Sequence, residues 1–455
     1  MANAVALEPN ADSIFSKIDV FERHAGAGGL WYYTSGNKSH LVPPIPSTNQ
    51  KDAVELTNTD NIPPEDRFVS AMYQHLETNI VKDLMKYKDF PFPESCEMFP
   101  SRQEVAKYIQ DFTATIPDVA TFKYNTNVVS LTKKNGEWEI VYEDVSKTSD
   151  NIITAYYDYV ILAQGHFDLP YIPDVSGLKS WSEKDISSIT HAKYFNNVEN
   201  YENKTVLVIG NSASGLDIST QLSTYARKVI VSSTSASPVA DITIEGVDQL
   251  DRVIKYDFDD NRSITTESGK KIDGIDSVIF CTGYLYKIPF LKSYIDGEQA
   301  IITNGDQVRY LYKQIFYIPD PTLINAALPK NIIPFPFSQC QAQYVARVIT
   351  GRCQLPSTDE MLKEYKSEVE LKGEGKSFHD LGFPKDAEYC ESTFDWIKGT
   401  EDEGFVADRW EGEKTELRGR TAALKAVRLE KIVDHANILK KKHEPFYLLR
   451  GELQE

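Results

Sequence analysis

A chain of 455 residues is long enough for two or three domains with substantial cores. Its 49 Lys and Arg against 67 Asp and Glu leave a net charge of −18, the wrong sign for gripping nucleic acid. With 41% hydrophobic and 11% aromatic residues, it reads as a folded, enzyme-sized protein, not a disordered one.

The five cysteines (96, 281, 340, 353 and 390) are odd in number, scattered and never spaced C-x-x-C. That pattern argues against a disulfide framework, a zinc site and a dithiol redox centre, and it predicts a reducing, cytoplasmic setting. Residues 1–13 carry Glu8 and Asp12 and lack the basic start and apolar run of a signal peptide. No window approaches the ~20 apolar residues of a membrane helix.

In chain order, residues 17–21 read as a strand ending in an acid, Glu22, where dinucleotide folds commonly hold a ribose hydroxyl. The following His24-Ala-Gly26-Ala-Gly28-Gly29-Leu30-Trp31 looks like a phosphate loop, but Trp31 stands at the third glycine position and residues 32–36 do not open a helix. It is rejected as a phosphate cradle. A helix is predicted over 101–113, strands over 137–142 and 159–163, and a crossing between domains at the Pro- and Gly-containing stretch 170–177.

The strongest local signal follows. Residues 205–209 form an apolar strand, Gly210 permits a tight turn, and a helix is predicted over 213–225, with Gly215 allowing close approach to the strand. This arrangement aims backbone N–H groups and a positive helix end at a pyrophosphate. Ser212 replaces the middle glycine of G-x-G-x-x-G. The next strand, 228–232, ends in Ser233-Thr234-Ser235 without a carboxylate, which disfavours NAD and leaves room for a 2′-phosphate, although no arginine clamp is present. Another strand at 277–281, a second crossing at 329–336, and helices at 338–349 and 416–442 complete an α/β pattern.

Several segments then carry a family resemblance in their order. They are Asp19-Val-Phe-Glu-Arg with Gly28-Gly-Leu-Trp-Tyr, Leu76-Glu-Thr-Asn79, Phe90-Pro-Phe-Pro, Phe99-Pro-Ser-Arg102 and Gly165-His166 with Pro170-Tyr-Ile-Pro173. Further on come His191-Ala-Lys-Tyr-Phe195, Gly210 to Gly215, Thr282-Gly283-Tyr284, Leu328-Pro, Ile333-Pro-Phe-Pro and Gln341. From about Lys17 to Trp396 the chain resembles a flavin-containing monooxygenase of the soluble fungal, thiol- or amine-oxidising type.

The resemblance implies two Rossmann-like domains. An NADPH-binding domain (167–281) is inserted into an FAD-binding domain (1–166 and 282–455), whose second part ends in C-terminal helices. It also implies FAD, NADPH and O2, a C4a-hydroperoxyflavin, and a small thiol or amine as substrate; a homodimer is an open expectation. Glu22 is assigned to the flavin ribose, Leu30 and Trp31 to the flavin's side, and Val128 to the adenine. Gly210, Ser212, Ser214 and Gly215 are assigned to NADPH, and Asn79 is the active-site amide, a donor without charge. Gln341 either faces the flavin or caps its helix, and His191 is either functional or a buried structural histidine. Phe195, where Baeyer–Villiger relatives carry Trp, favours sulfur or nitrogen oxidation.

One departure stands out. The family begins with a strand, a glycine loop and a helix before the acid-ending strand, and the ~20 residues this needs reach back from Glu22 to Ala2. Residues 2–7 contain no glycine and represent at most the tail of that helix. The FAD domain is therefore expected to be N-terminally incomplete. The alternative function is a catalytically inactive nucleotide-binding or interaction protein of the same lineage.

Overall fold

The computed structural model of the protein describes residues 1–34, 38, 43–52, 68–147, 151–235 and 243–451. Its best-formed layer is a five-stranded parallel sheet in the order Val247–Leu250, Lys228–Ser232, Thr205–Ile209, Ser277–Phe280, Ile189–His191. The apolar run of the Thr205–Ile209 strand follows from its central place. Val206 and Val208 pack on one face against Ile218 and Leu222 of the Ala213–Leu222 helix, while Leu207 packs on the other with Val278, Phe280, Trp181 and Tyr256. A strand covered on both faces has no polar face to display.

The chain enters this unit through Leu169–Pro170 and leaves it through Tyr284–Leu285, and these two short strands pair antiparallel. Fully buried His191 lies beside the exit, with Nε2 3.0 Å from the Gly283 carbonyl and Nδ1 accepting from the Lys193 N–H at 3.1 Å. Residues 329–336 mark no crossing; they lead into the Pro334–Ile349 helix, where Ile333 and Phe337 join the same core as Val81, Leu84 and Phe99.

On the other side, Ile18–Phe21 pairs in parallel with Ala120–Lys123. Separately, Val160–Leu162 pairs in parallel with Leu323–Asn325, which continues antiparallel into Phe316–Tyr317 and Leu311–Tyr312. Among the described residues no strand pairs with the second edge of either Ile18–Phe21 or Val160–Leu162. Ile18 and Ile161, one from each strand, nevertheless pack on one cluster formed by Ala4, Val5, Ala342 and Ala346. A five-residue helix, Ala2–Ala6, is seated against the Pro334–Ile349 helix.

A three-stranded antiparallel sheet, Thr126–Lys134, Glu137–Asp144 and Ile152–Tyr157, completes this side. The helix predicted over 101–113 forms as Arg102–Thr113, with Ser101 and Glu104 making a reciprocal capping box. The last helix, Glu413–Lys442, is 30 residues long, ~45 Å at 1.5 Å per residue. No described helix is long and apolar enough to cross a membrane.

Candidate functional site

The dinucleotide turn is built by close backbone approach. Gly210 has φ +102°, and a Cβ there would lie 2.8 Å from the Cys281 carbonyl oxygen; a Cβ at Gly215 would lie 2.0 Å from the Gly210 oxygen. Both positions therefore exclude side chains. The Gly210 N–H donates to the Ser232 carbonyl at 2.8 Å, and Asn211 Nδ2 donates to the Ser235 carbonyl at 2.7 Å, joining the loops that follow neighbouring strands. Ser212 is exposed at the N-cap, and no side chain caps the ten-residue helix it opens; Ser214 lies in the first turn. Uncapped N–H groups at a helix start suit a pyrophosphate, so this turn fits NADPH. The loop after Lys228–Ser232 continues into residues 236–242, outside the described residues.

The flavin side is only partly furnished. Glu22 follows its strand as predicted, but its Oε1 already accepts from the His24 N–H at 2.8 Å and lies 3.0 Å from His24 Nδ1, so one carboxylate oxygen is left out of these bonds. Val128, at a β-bulge, packs with Phe21 and Tyr142 close to Glu22, whose carbonyl accepts from the Thr126 N–H. Gly28 and Gly29 lead only into the three-residue turn Gly29–Trp31, and residues 35 and 36 of the adjoining stretch lie outside the described residues. The first glycine of the chain is Gly26, after the Ile18–Phe21 strand. The described residues thus fit the adenosine end of FAD and present no strand–glycine turn–helix for its pyrophosphate.

Trp31 packs into the core that includes Val81 and partly buried Ile80, which brings Leu30 and Trp31 towards the segment carrying exposed Asn79. Gln341 lies apart. The Pro334–Ile349 helix starts four residues earlier than predicted, because proline is tolerated in a first turn. Gln341 is therefore mid-helix and cannot cap it; fully buried, it accepts from the Ala327 N–H at 2.7 Å and donates to the Tyr389 hydroxyl at 3.0 Å.

Several polar groups at the junction of the two sides carry no motif and escape sequence reasoning. The Tyr73 hydroxyl donates to Asp217 on the dinucleotide helix, and burial raises the Asp217 carboxyl to about 6. Asp168 pairs with Lys193 at 2.8 Å and Arg23 at 3.4 Å. Glu77, two residues before Asn79, is held by Lys425 and Arg428 of the last helix. The one available signal was a pair of cations at i and i+3 on the same stripe of the helix as Thr421, Leu429 and Ile432, all buried. Burial lowers His191 to about 3, so it is neutral, with both ring nitrogens engaged by the backbone. Its place is structural. Phe195, fully buried, packs edge-on against Tyr73 at 5.5 Å.

Comparison with known proteins agrees with this geometry. The family model described as flavin-binding monooxygenase-like matches residues 61–256 and 241–382. A thiol-specific monooxygenase of Saccharomyces cerevisiae is 28% identical over 446 residues, covering 95% of this chain and 91% of its own. The Arabidopsis thaliana flavin-containing monooxygenase FMO GS-OX-like 2 is 31% identical, covering 81% and 77% respectively. Among solved structures, S-allyl-L-cysteine S-oxygenase from Allium sativum superposes with a TM-score of 0.74 at 21% identity, covering 97% of this chain and 95% of that one, a likeness of fold. With a family model spanning most of the molecule and a dinucleotide turn of the matching form, the chain belongs to the flavin-binding monooxygenase-like family.

Proposed function

We propose that the protein is an FAD- and NADPH-dependent monooxygenase that oxygenates soft nucleophiles, thiol sulfur foremost and amine nitrogen second. The observation that carries this reading is the Gly210–Gly215 turn, where backbone contacts exclude side chains and leave N–H groups at a helix start for NADPH. The thiol preference draws on the Saccharomyces relative and on the sulfur oxygenation named for the Allium enzyme. Flavin, when bound, supplies the redox and oxygen chemistry.

The chain's own residues bind, orient and shield. Gly210, Ser212, Ser214 and Gly215 hold the NADPH pyrophosphate through backbone amides and hydroxyls. Glu22 and Val128 receive the adenosine end of FAD, and Leu30 and Trp31 line the approach beside Asn79. The Asn79 amide donates a hydrogen bond without bringing charge into the site. The residues 167–281 act as the NADPH-binding domain inserted between two parts of the FAD-binding domain.

The test is oxygen uptake and NADPH oxidation by the FAD-supplemented chain with a small thiol, an amine, or neither. Thiol-dependent turnover is expected, with Gly210→Asp abolishing it by setting a carboxylate against phosphate. Unchanged NADPH kinetics in folded Gly210→Asp would overturn the site assignment.

A further inference from the structure

The last helix bridges the two halves of the molecule. Before residue 425, its Leu417 and Leu424 pack on the core of Val81, Leu84 and Phe99. Beyond residue 428, Ile432, Ala436 and Leu439 pack on Ile218 and Leu222 of the dinucleotide helix. Between these two stretches, one turn of the helix turns its cations onto Glu77.

Glu77 is almost fully buried. Its Oε1 accepts from Lys425 Nζ at 2.7 Å and its Oε2 from Arg428 Nη2 at 2.8 Å, with Arg428 Nε 3.2 Å from both oxygens. Lys425 also donates to the Thr78 carbonyl at 2.9 Å and Arg428 to the Leu449 carbonyl at 2.6 Å. All three side chains are no more than 5% exposed. A buried ion cluster is a poor source of net stability, because desolvation offsets its attraction; an apolar trio would hold the same helix as well. What such a cluster provides is a fixed geometry, since any displacement leaves a charge buried and unpaired.

The same segment is tied on its other side to the dinucleotide helix, where the Tyr73 hydroxyl donates to Asp217 and Gln221 Nε2 to the His75 carbonyl at 3.3 Å. Residues 73–78 thus lie between the helix that opens at the Gly210–Gly215 turn and the helix that bridges both halves.

We propose that Glu77 is a positioning residue: clamped by Lys425 and Arg428, it locks the segment bearing Asn79 in register with the dinucleotide helix. The catalytic consequence rests on the role proposed above for Asn79; the mechanical one does not. Glu77 touches no reacting atom. It acts by keeping Asn79 and the NADPH turn at a constant separation.

The test is Glu77→Gln in the full chain, followed by hydrogen exchange, NADP+ binding, and product formed per NADPH consumed. Exchange across residues 73–80 should accelerate at least tenfold while that of the Thr205–Ile209 strand is unchanged. NADP+ affinity should stay within threefold, because the turn is untouched, and product per NADPH should fall at least fivefold. Glu77→Asp should recover part of the protection. Lys425→Met, which leaves the Arg428 bonds, should accelerate exchange about threefold and serves if Glu77→Gln does not fold. Unchanged exchange over 73–80, or equal acceleration in Thr205–Ile209, would overturn the proposal. A wild-type chain that never oxidises NADPH would sink the monooxygenase reading while leaving the exchange result to be judged alone.

Discussion

The two nucleotide-binding sides of this molecule use the same kind of parallel strand very differently. In the inserted unit, Thr205–Ile209 is paired on both edges, covered on both faces and followed by a turn in which two glycines meet backbone. On the flavin side, all four residues of Ile18–Phe21 are only half-buried, and each of the two parallel pairs keeps an edge without a partner strand among the described residues. The contrast shows that an acid-ending strand does not by itself furnish the amides that hold a pyrophosphate. The larger share of dinucleotide affinity comes from amides aimed at the pyrophosphate, each charge-assisted bond contributing roughly 1.5–3 kcal/mol.

The largest expected effect puts that contrast in one tube. The chain should bind NADP+ with at least a hundredfold lower dissociation constant than FAD, and FAD should be lost on desalting; titration and the visible spectrum after a desalting column check this. Stoichiometric FAD retention would erase the distinction. Next, Gly215→Val should weaken NADP+ binding by two or more powers of ten, since its Cβ would need to occupy space 2.0 Å from a backbone oxygen. Isothermal titration would show whether the turn is as tight as described.

A smaller effect concerns the Asp217 carboxyl on the dinucleotide helix. Its folded value, raised to about 6 by burial, lies above the unfolded value of 3.8, so its favourable contribution is full below about pH 3.8 and is lost as pH rises through about 6. Asp217→Asn, whose amide oxygen can still accept from the Tyr73 hydroxyl, should therefore gain stability relative to wild type between pH 4 and 7, by about 1–2 kcal/mol. Denaturant midpoints at both pH values test the sign. Smallest is Ser101→Ala on the flavin side, where loss of the capping box should cost about 1 kcal/mol of stability without altering NADP+ binding.

How much was legible depended on whether the physics was local. The strands at 205–209 and 228–232 were predicted with the bounds they have, because full burial writes an uninterrupted apolar run. That Ile18–Phe21 pairs on one edge alone among the described residues was inferable from the lack of a glycine turn ahead of it in the sequence. The helix bearing Gln341 was predicted four residues short because its first turn, Pro334 to Pro336, holds two prolines that read as a loop. The helix Thr358–Lys372 went unread because only Met361 and Tyr365 are buried among its charges. Glu77 was invisible as a functional residue because its partners stand 348 and 351 positions away, a separation no spacing rule spans.

The pairing of Leu169–Pro170 with Tyr284–Leu285 has a further consequence for engineering. Because the chain departs and re-enters at adjacent points, everything between is topologically a cassette. Its removal would leave two ends near enough for a short linker, and its transplantation would need a matching pair of strands together with a surface to cover Ile218 and Leu222, which Tyr73 and the last helix cover here. Nicotinamide specificity could then be exchanged as a block, without redesigning the sheets on the flavin side.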